Sequence, residues 1–189
     1  MARGPRPVAA ARRRSAPGVV RHISFPPVAA PGARVLILGS MPGAASLAAQ
    51  QYYAHPQNQF WPIIERLLGV PRTAPYGARL DALRRHHVAL WDVLESCERE
   101  GSLDSAIEQA TAIPNNLPAL LRTHRNIVSI CCNGHTAFQA VHRHFGAQLQ
   151  QQFPHISCLR LPSTSPAHAG MPAPQKLAAW HAALANVLK

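Results

Sequence analysis

Acidic residues and lysine are scarce in this chain of 189 residues. It carries 19 Lys and Arg against eight Asp and Glu, which gives a formal net charge of +11, and only two of the basic residues are lysines. Seven arginines and no acid fall within residues 1–34. The Arg, Pro and Ala content of residues 1–32 predicts a disordered basic arm, followed by a single domain over residues 33–189. The arm either holds a polyanion loosely or is a solvated extension without a role; a start codon assigned too early is equally compatible.

Long apolar runs are also absent. No segment approaches the ~20 apolar residues of a membrane span, and the most apolar one, around residues 34–41, is interrupted at Gly39. The N-terminus lacks the uninterrupted apolar segment of a secretory signal. With 47% hydrophobic residues the chain can still bury a core. These features predict a cytoplasmic protein with no membrane partner.

Cysteine is rare and is not arranged for metal binding. The four cysteines contain no C-x-x-C pair, and two of them, Cys131 and Cys132, are adjacent within an apolar run. This spacing disfavours a zinc or iron–sulfur site. Buried free thiols in a reducing compartment are the better interpretation.

Four short apolar runs are present, and they predict the fold class. They span residues 34–40, 87–94, 126–133 and 156–163, are rich in Val, Ile and Leu, and lack polar alternation. Such runs are typical of parallel strands covered on both faces. Helical patterns occupy the segments between them and after them, at 57–69, 77–87, 115–124, 134–146 and 173–189. The sequence therefore predicts a three-layer α/β/α domain with a central four-stranded parallel sheet.

Small and polar residues follow each predicted strand. In open α/β sheets, ligands bind at the carboxyl ends of the strands, so these residues are expected to meet at one edge. The segment "GSMPG" (39–43) lacks the Lys of a Walker loop and the spacing of G-x-G-x-x-G or G-x-S-x-G. The candidates at the four ends are Gly39, Ser40, Met41, Pro42 and Gly43; Asp92; Asn133; and Ser163, Thr164, Ser165, Pro166 and His168.

Each polar candidate has a structural alternative. Asp92 interrupts an apolar run, so it needs either a ligand or an internal hydrogen-bond partner, and the two are about equally supported. Asn133 precedes a helical pattern, and an N-cap is the more frequent role for such a residue. The hydroxyls of residues 163–165 suit phosphate contacts, but they also suit an ordinary turn.

The stretch "QQYYAHPQNQFWP" (50–62) concentrates aromatic residues in a chain that is only 6% Phe, Trp and Tyr. Phe60 and Trp61 begin a helical pattern and are expected to pack in the core. Tyr53, His55 and Asn58 lie in the irregular part and are the better ligand candidates.

Four segments together resemble the uracil-DNA glycosylase superfamily, and its hypoxanthine-DNA glycosylase branch (family six) most closely. They are "LGSMPGAASLAAQQYYAHPQNQFWPII", "LWDVLESCEREGSLDSAI", "CCNGHTAF" and "LPSTSPAHA". The likeness runs in order over about residues 34–188. "YAHPQNQFW" is also similar to a segment of mismatch-specific uracil-DNA glycosylases.

The resemblance implies a monofunctional glycosylase without metal or cofactor. It implies that the enzyme flips a deaminated base, hypoxanthine above all, out of single- or double-stranded DNA and hydrolyses its N-glycosidic bond. Asn58 corresponds to the catalytic asparagine of the branch, Tyr53 to the aromatic residue that stacks on the base, and Asp92 to a residue that reads the base edge. Residues 39–43, His55 and Asn133 complete the expected base pocket. Residues 163–166 and His168 correspond to the loop that enters the minor groove.

The sequence departs from the family pattern at two places. In the first segment, Ser40 and Met41 stand where many members have a water-positioning Asn or Asp, so the resemblance leaves Asn58 as the expected catalytic residue. In the loop after the last strand, His168 replaces an expected Asn. Three alternatives remain open. They are uracil or xanthine excision, a non-catalytic nucleic-acid-binding module, and an esterase-like hydrolase using Ser163 or Ser165. A monomer is expected.

Overall fold

The computed structural model describes residues 20–185, and these form two sheets and six helices. The elements in chain order are β1 (Arg21–Ile23), β2 (Val35–Gly39), α1 (Ala44–Ala49), α2 (Phe60–Leu68), α3 (Tyr76–Arg85), β3 (Val88–Asp92), β4 (Leu94–Arg99), β5 (Ile107–Pro114), α4 (Leu117–Thr123), β6 (Ser129–Asn133), α5 (His135–Gln152), β7 (Ser157–Leu161) and α6 (Ala173–Ala185). A 3₁₀ turn, Asp104–Ala106, separates β4 from β5. Within residues 20–185, no helix is both long and apolar enough to cross a bilayer.

The larger sheet has four parallel strands in the order β3-β2-β6-β7, as the sequence predicts. Strands β2, β3 and β6 are buried along their whole length, which explains their predominantly apolar sequences. One face packs against α4 and α5, and the other packs against α2, α3 and α6. The predicted three-layer α/β/α architecture is therefore confirmed.

The second predicted strand needs one correction, because the run at residues 87–94 does not form one strand. The chain leaves the parallel sheet after Asp92 and re-enters a second, antiparallel sheet at Leu94. That sheet has the order β1-β4-β5. The Asn115 side chain donates a hydrogen bond to the Asp92 carbonyl (2.9 Å), and the Asn115 amide donates to the Val93 carbonyl (2.9 Å). These bonds fix the point at which the chain changes sheets.

Secondary structure is present before residue 33, within the segment that the sequence assigns to the arm. Strand β1 pairs with β4, and Val28 exchanges two backbone hydrogen bonds with Leu90, each 2.8 Å long. The Pro content of this segment hides its structure in the sequence, because its few apolar residues gain their partners from distant parts of the chain, as Val28 does from β3 and Phe25 does from Tyr52. The remainder of the predicted arm, residues 1–19, lies outside the described residues.

Helix α5 is longer than predicted, since it passes through Gly146 and ends at Gln152. A single glycine costs a helix about 1 kcal/mol relative to alanine. Leu149 and Phe153, beyond the glycine, pack on the core, and their burial offsets that cost. Three of the four cysteines are buried and all four are free thiols, as predicted, although Cys158 is only half-buried.

Candidate active site

A cavity of about 470 Å³ opens at the carboxyl edge of the parallel sheet. This volume lies within the range of about 300–1,000 Å³ typical of small-molecule sites. Every residue proposed from the sequence lines it, although those residues come from five separate segments of the chain. They are Gly39, Ser40, Met41, Pro42, Gly43, Tyr53, His55, Asn58, Asp92, Asn133, Ser163, Thr164, Ser165, Pro166 and His168.

Gly39, at the end of β2, allows two functional side chains to approach the backbone. A Cβ atom at this position would lie 2.4 Å from Asp92 Oδ1 and 3.1 Å from the Tyr53 hydroxyl oxygen. The first distance is far below a van der Waals contact. Asp92 is held on the strand paired with β2, and the Tyr53 ring is stacked on Phe60, so neither side chain is free to move away. Only glycine therefore fits here, and the floor of the cavity depends on it.

Asp92 lies at the end of β3 and is only 3% exposed. Burial raises the pKa of its carboxyl to about 7, and the charge of Asp104 acts in the same direction. The Ser24 hydroxyl opposes this shift by donating a 2.7 Å hydrogen bond to Oδ2. The internal partner that the sequence left open is thus Ser24, and Oδ1 lies on the cavity side, near Gly39 and Tyr53.

Tyr53 has a left-handed backbone, with φ at 55°, and its ring lies against Phe60. The ring centroids are 4.0 Å apart and the planes differ by 25°, so Phe60 covers one face of the tyrosine. Phe60 and Trp61 are buried in the core, as predicted. The Tyr53 hydroxyl is buried without a hydrogen-bond partner among residues 20–185. Burial, followed by the charge of Asp92, raises the pKa of this hydroxyl, and the nearby Asn133 side chain opposes that shift.

Asn58 is half-buried just before α2, and its orientation is fixed. Its Oδ1 accepts a 2.9 Å hydrogen bond from the Phe60 backbone amide, and the Asn58 backbone amide donates to the His55 carbonyl at 2.9 Å. An amide oxygen has two lone pairs, so Oδ1 retains one for a further donor. His55 lies exposed at the rim of the cavity. The catalytic role of Asn58 stays a prediction.

Asn133 does not cap α5, because Gly134 is the N-cap residue and no side chain caps the helix. Instead, the Asn133 amide forms a reciprocal pair with Thr164. Asn133 Nδ2 donates to Thr164 Oγ1 (2.8 Å), and the Thr164 amide donates to Asn133 Oδ1 (2.9 Å). These bonds hold the loop after β7 against the end of β6.

Thr164 is 0% exposed, which contradicts the predicted contact between its side chain and DNA. Its hydroxyl is used within the protein, and its carbonyl accepts a hydrogen bond from the Gln59 amide (2.9 Å). The neighbouring residues of the loop are accessible. Ser163 and Ser165 are half-buried, and Pro166 and His168 are exposed. The loop therefore presents these four residues outward, with Thr164 as its anchor.

The same loop provides no support for an esterase-like nucleophile. Ser163 Oγ accepts a hydrogen bond from the Ser165 amide (3.2 Å), and Ser165 Oγ accepts one from the Ala167 amide (3.3 Å). Both bonds are local turn contacts. In the part of the chain that the structure describes, neither serine hydroxyl is paired with a histidine, which activation of a serine nucleophile requires.

The sequence analysis missed the residues contributed by the hairpin between β4 and β5. Ser40 Oγ donates a 2.7 Å hydrogen bond to Asp104 Oδ1, and the Ala44 amide donates to Ser102 Oγ (3.0 Å). Burial, above all, raises the pKa of Asp104. The scarcity of acids in this chain was the available signal, because Asp104 is one of only eight.

Arg99, at the end of β4, also helps to hold the segment 40–43 in place. Its side chain is 98% buried, and Nη2 donates a hydrogen bond to the Pro42 carbonyl at 2.6 Å. Its positive charge lowers the pKa of both Asp92 and Asp104, against the larger effect of burial. The segment 40–43 is therefore held by β4 on one side and by the Asp104 carboxylate on the other.

The cavity combines groups that suit a flat, polar heterocycle. It has an aromatic ring at Tyr53, a buried carboxylate at Asp92, an oriented amide at Asn58 and the backbone of residues 39–43. Among residues 20–185, no group of three or more His, Cys, Asp and Glu is placed to hold a metal ion.

Comparisons with known proteins place the chain in a family. The sequence model described as "Uracil DNA glycosylase superfamily" matches residues 26–186. A protein of Methanosarcina barkeri named Hypoxanthine DNA glycosylase is 42% identical over 85 residues, which cover 44% of this chain and 54% of that relative. The match thus spans about half of the relative's length. A protein of the same name from Methanosarcina acetivorans is 35% identical over 114 residues, which cover 60% of this chain and 71% of the relative.

A solved structure agrees with the family at the level of the fold. It is a solution NMR structure of a candidate uracil DNA glycosylase from Methanosarcina acetivorans. The TM-score is 0.74 at 28% identity, over 90% of this chain and 100% of that chain. The matched family region includes every cavity-lining segment described above, from the end of β2 to the loop after β7. The chain belongs to the uracil DNA glycosylase superfamily.

Proposed function

We propose that this protein is a monofunctional DNA glycosylase that removes deaminated bases, with hypoxanthine as its preferred substrate. The observation that carries the proposal is that one cavity at the carboxyl edge of the sheet brings together Tyr53, Asn58 and Asp92. Family membership and the names of the two Methanosarcina relatives support the same conclusion.

The cavity suits an extruded base. A base inside a duplex is inaccessible to such a pocket, so the enzyme must flip it out of the stack, and flipping costs least at a mispair. Phe60 packs behind Tyr53 and holds its ring, which leaves the opposite face of Tyr53 for the base. Stacking on an aromatic side chain is worth about 1–3 kcal/mol per base in single-strand binders. Asp92 lies at the same end of the pocket, where its carboxylate would accept a hydrogen bond from a ring N–H group of the base.

The bond to be broken joins the base to deoxyribose. As it breaks, negative charge grows on the base and positive charge grows on the sugar. Backbone amides in the segment 40–43 are suited to stabilise the departing base, because preorganised donors in a water-poor site act strongly on developing charge. The segment is fixed by the Ser40–Asp104 and Arg99–Pro42 hydrogen bonds, so it does not need to reorganise during the reaction.

We assign to Asn58 the positioning of the water molecule that attacks the anomeric carbon. Met41, in the first segment, packs in the hydrophobic core and has no polar atom suited to orienting a water molecule. Asn58 has an oxygen whose position is set by the Phe60 amide and which retains a lone pair. A sugar with cationic character requires a positioned water more than a strong base, and an amide can provide this.

DNA contacts are assigned to the rim. Ser163, Ser165, Pro166 and His168 line the cavity mouth on the loop after β7, where they would meet the DNA backbone and minor groove. The arginines of residues 1–19 add a charged segment that would bind phosphates without sequence preference. A cytoplasmic location and a monomeric state belong to this proposal.

The decisive experiment uses labelled duplexes that carry deoxyinosine, deoxyuridine or deoxyxanthosine opposite each normal base. Conversion of the lesion into an alkali-labile abasic site is measured under single-turnover conditions. We expect abasic sites at deoxyinosine first. Faster excision at deoxyuridine or deoxyxanthosine would contradict the preference for hypoxanthine and identify that lesion as the preferred substrate. Tight binding of all three duplexes without any abasic product would instead indicate a non-catalytic nucleic-acid-binding module.

A further inference from the structure

A buried arginine without an ionic partner lies behind one wall of the cavity. Arg99 is 2% exposed, and its Nη2 donates a 2.6 Å hydrogen bond to the Pro42 carbonyl. Its Nε and Nη1 atoms are buried without a hydrogen-bond partner within residues 20–185, and no Asp or Glu of that range forms a salt bridge with it. A buried charge is costly unless it is paired. Holding the segment 40–43 in place requires only a neutral donor, so that role does not explain why a cation is kept here.

The acidic and basic residues that line the cavity do not balance. Asp92 and Asp104 both line it, whereas no Lys or Arg among residues 20–185 does so. Arg160 contacts the lining residue His135 at 3.3 Å, but Arg160 is exposed, so solvent screens its charge. A base that leaves with its bonding electrons is an anion, and ionised carboxylates oppose its formation. Departure of the base therefore benefits from a positive charge close to the cavity wall.

Arg99 is placed to supply that charge through a peptide group. The Pro42 carbonyl and the Gly43 N–H belong to the same peptide unit, and both residues line the cavity. The Gly43 N–H has no acceptor within residues 20–185, so it is available to a ligand. A hydrogen bond to the carbonyl polarises the peptide and strengthens its N–H as a donor. The guanidinium also acts directly, since its charge lowers the pKa of both cavity carboxyls through the protein interior.

We propose that Arg99 is a positioning residue for departure of the base, because its charge, acting directly and through the Pro42–Gly43 peptide, stabilises the anion that leaves. This inference rests on the proposed function and deepens it. In the step concerned, the bond between C1′ of deoxyribose and the base nitrogen breaks, and its electron pair stays on the base. The oxygen of the attacking water bonds to C1′, its proton passes to solvent, and the base anion takes up a proton from solvent. Arg99 transfers no proton, because a guanidinium stays charged in proteins, and it acts most strongly while the base carries negative charge.

The first test separates the charge from the hydrogen bond. Arg99→Gln keeps a neutral donor, and Arg99→Lys keeps the charge. We expect single-turnover excision of hypoxanthine to fall about 10- to 100-fold in Arg99→Gln, somewhat less than the loss of a donor in direct contact, and Arg99→Lys to be faster than Arg99→Gln. The matched control is Arg21→Gln, because Arg21 lies on the same antiparallel sheet, donates to Ser96 Oγ (2.8 Å) and is outside the cavity. Excision by Arg99→Gln at the wild-type rate would overturn the inference.

Urea unfolding verifies that each variant is folded before its rate is measured. If Arg99→Gln does not fold, Arg99→Met takes its place, because an apolar side chain of similar size is often neutral for stability at the site of a buried charge.

The second test distinguishes stabilisation of the anion from support of the fold. The base of 8-aza-2′-deoxyinosine has the same six-membered ring as hypoxanthine, but an extra nitrogen in its five-membered ring makes its anion more stable. Such a base needs less help to leave, so the loss of the charge should slow its excision less. We expect the ratio of wild-type to Arg99→Gln rates to be at least about 3-fold smaller for this substrate than for deoxyinosine. Equal ratios for the two substrates would assign Arg99 a purely structural role.

A binding measurement keeps this inference distinguishable from the proposed function. Near neutral pH, free 8-azahypoxanthine is an anion and free hypoxanthine is largely neutral. Isothermal titration calorimetry gives the affinity of each base for wild type and Arg99→Gln. We expect the variant to lose at least about 10-fold in affinity for the anion and less than about 3-fold for hypoxanthine. If lesion excision is absent but this pattern holds, the proposed function fails and the role of Arg99 stands. If excision occurs but the two bases lose affinity equally, the function stands and the inference fails.

Discussion

Replacing Asp92 with asparagine is expected to change the pH dependence of stability in a defined direction. Burial raises the pKa of this carboxyl from 3.8 to about 7 in the folded protein. Between these two values the folded state holds a proton that the unfolded state has released. The stabilisation that the raised pKa of Asp92 gives the folded state is therefore fully present below pH 3.8, and it is lost as the pH rises through 7.

The magnitude follows from the size of the shift. A difference of about three pKa units corresponds to about 4 kcal/mol at most, at about 1.4 kcal/mol per unit. Asparagine has no proton to lose and preserves the shape of the side chain, including an oxygen for the Ser24 hydroxyl. The free energy of unfolding of Asp92→Asn, relative to wild type, should thus rise by up to about 4 kcal/mol between pH 4 and pH 8.

The assay is urea unfolding followed by tryptophan fluorescence at several pH values, since Trp61, Trp91 and Trp180 are all buried. Asp81→Asn is the control, because Asp81 is exposed and pairs with Arg84 on the same helix (2.7 Å). A constant difference between Asp92→Asn and wild type from pH 4 to pH 8 would refute the reasoning. It would mean that burial does not hold this carboxyl in its protonated form.

Four further outcomes are expected. Asn58→Ala should lower single-turnover excision by at least about 100-fold, whereas Gln57→Ala, at an exposed neighbouring position, should not; equal rates for both variants would remove Asn58 from catalysis. Wild-type excision should increase as the pH rises through about 7, where Asp92 ionises, and Asp92→Asn should flatten this profile; a parallel profile in both proteins would assign the titration to another group. Deleting residues 1–19, which carry five arginines, should reduce the slope of log K against log salt for DNA by up to about 4.5, and an unchanged slope would exclude phosphate contacts by this segment. Thr164→Val should destabilise the protein by about 1–3 kcal/mol, since it leaves the buried Asn133 amide without its acceptor, and thermal unfolding at the wild-type temperature would contradict that role.

Local sequence patterns were sufficient for the parallel sheet and for the location of the site. Strands β2, β3 and β6 are buried on both faces and are therefore predominantly apolar, which makes them visible in the sequence, whereas β7 lies at the edge of the sheet with three of its five residues exposed. Their carboxyl ends meet at one edge, and this geometry gathers twelve of the predicted residues around one cavity, while Tyr53, His55 and Asn58 reach the same cavity from the segment between α1 and α2. The predicted packing of Phe60 and Trp61 in the core followed from their place at the start of a helix.

The tertiary structure alone decided which partner each polar side chain receives. Ser40 bonds to Asp104 and Ser24 bonds to Asp92 across 64 and 68 residues of sequence. Such pairs depend on how the antiparallel sheet packs against the parallel one, and no local periodicity records that packing. For the same reason the sequence suggested that Thr164 faces DNA, whereas the fold buries it against Asn133. Hydrophobic periodicity determines the elements of this protein, while long-range hydrogen bonds determine which of its polar groups remain available to a ligand.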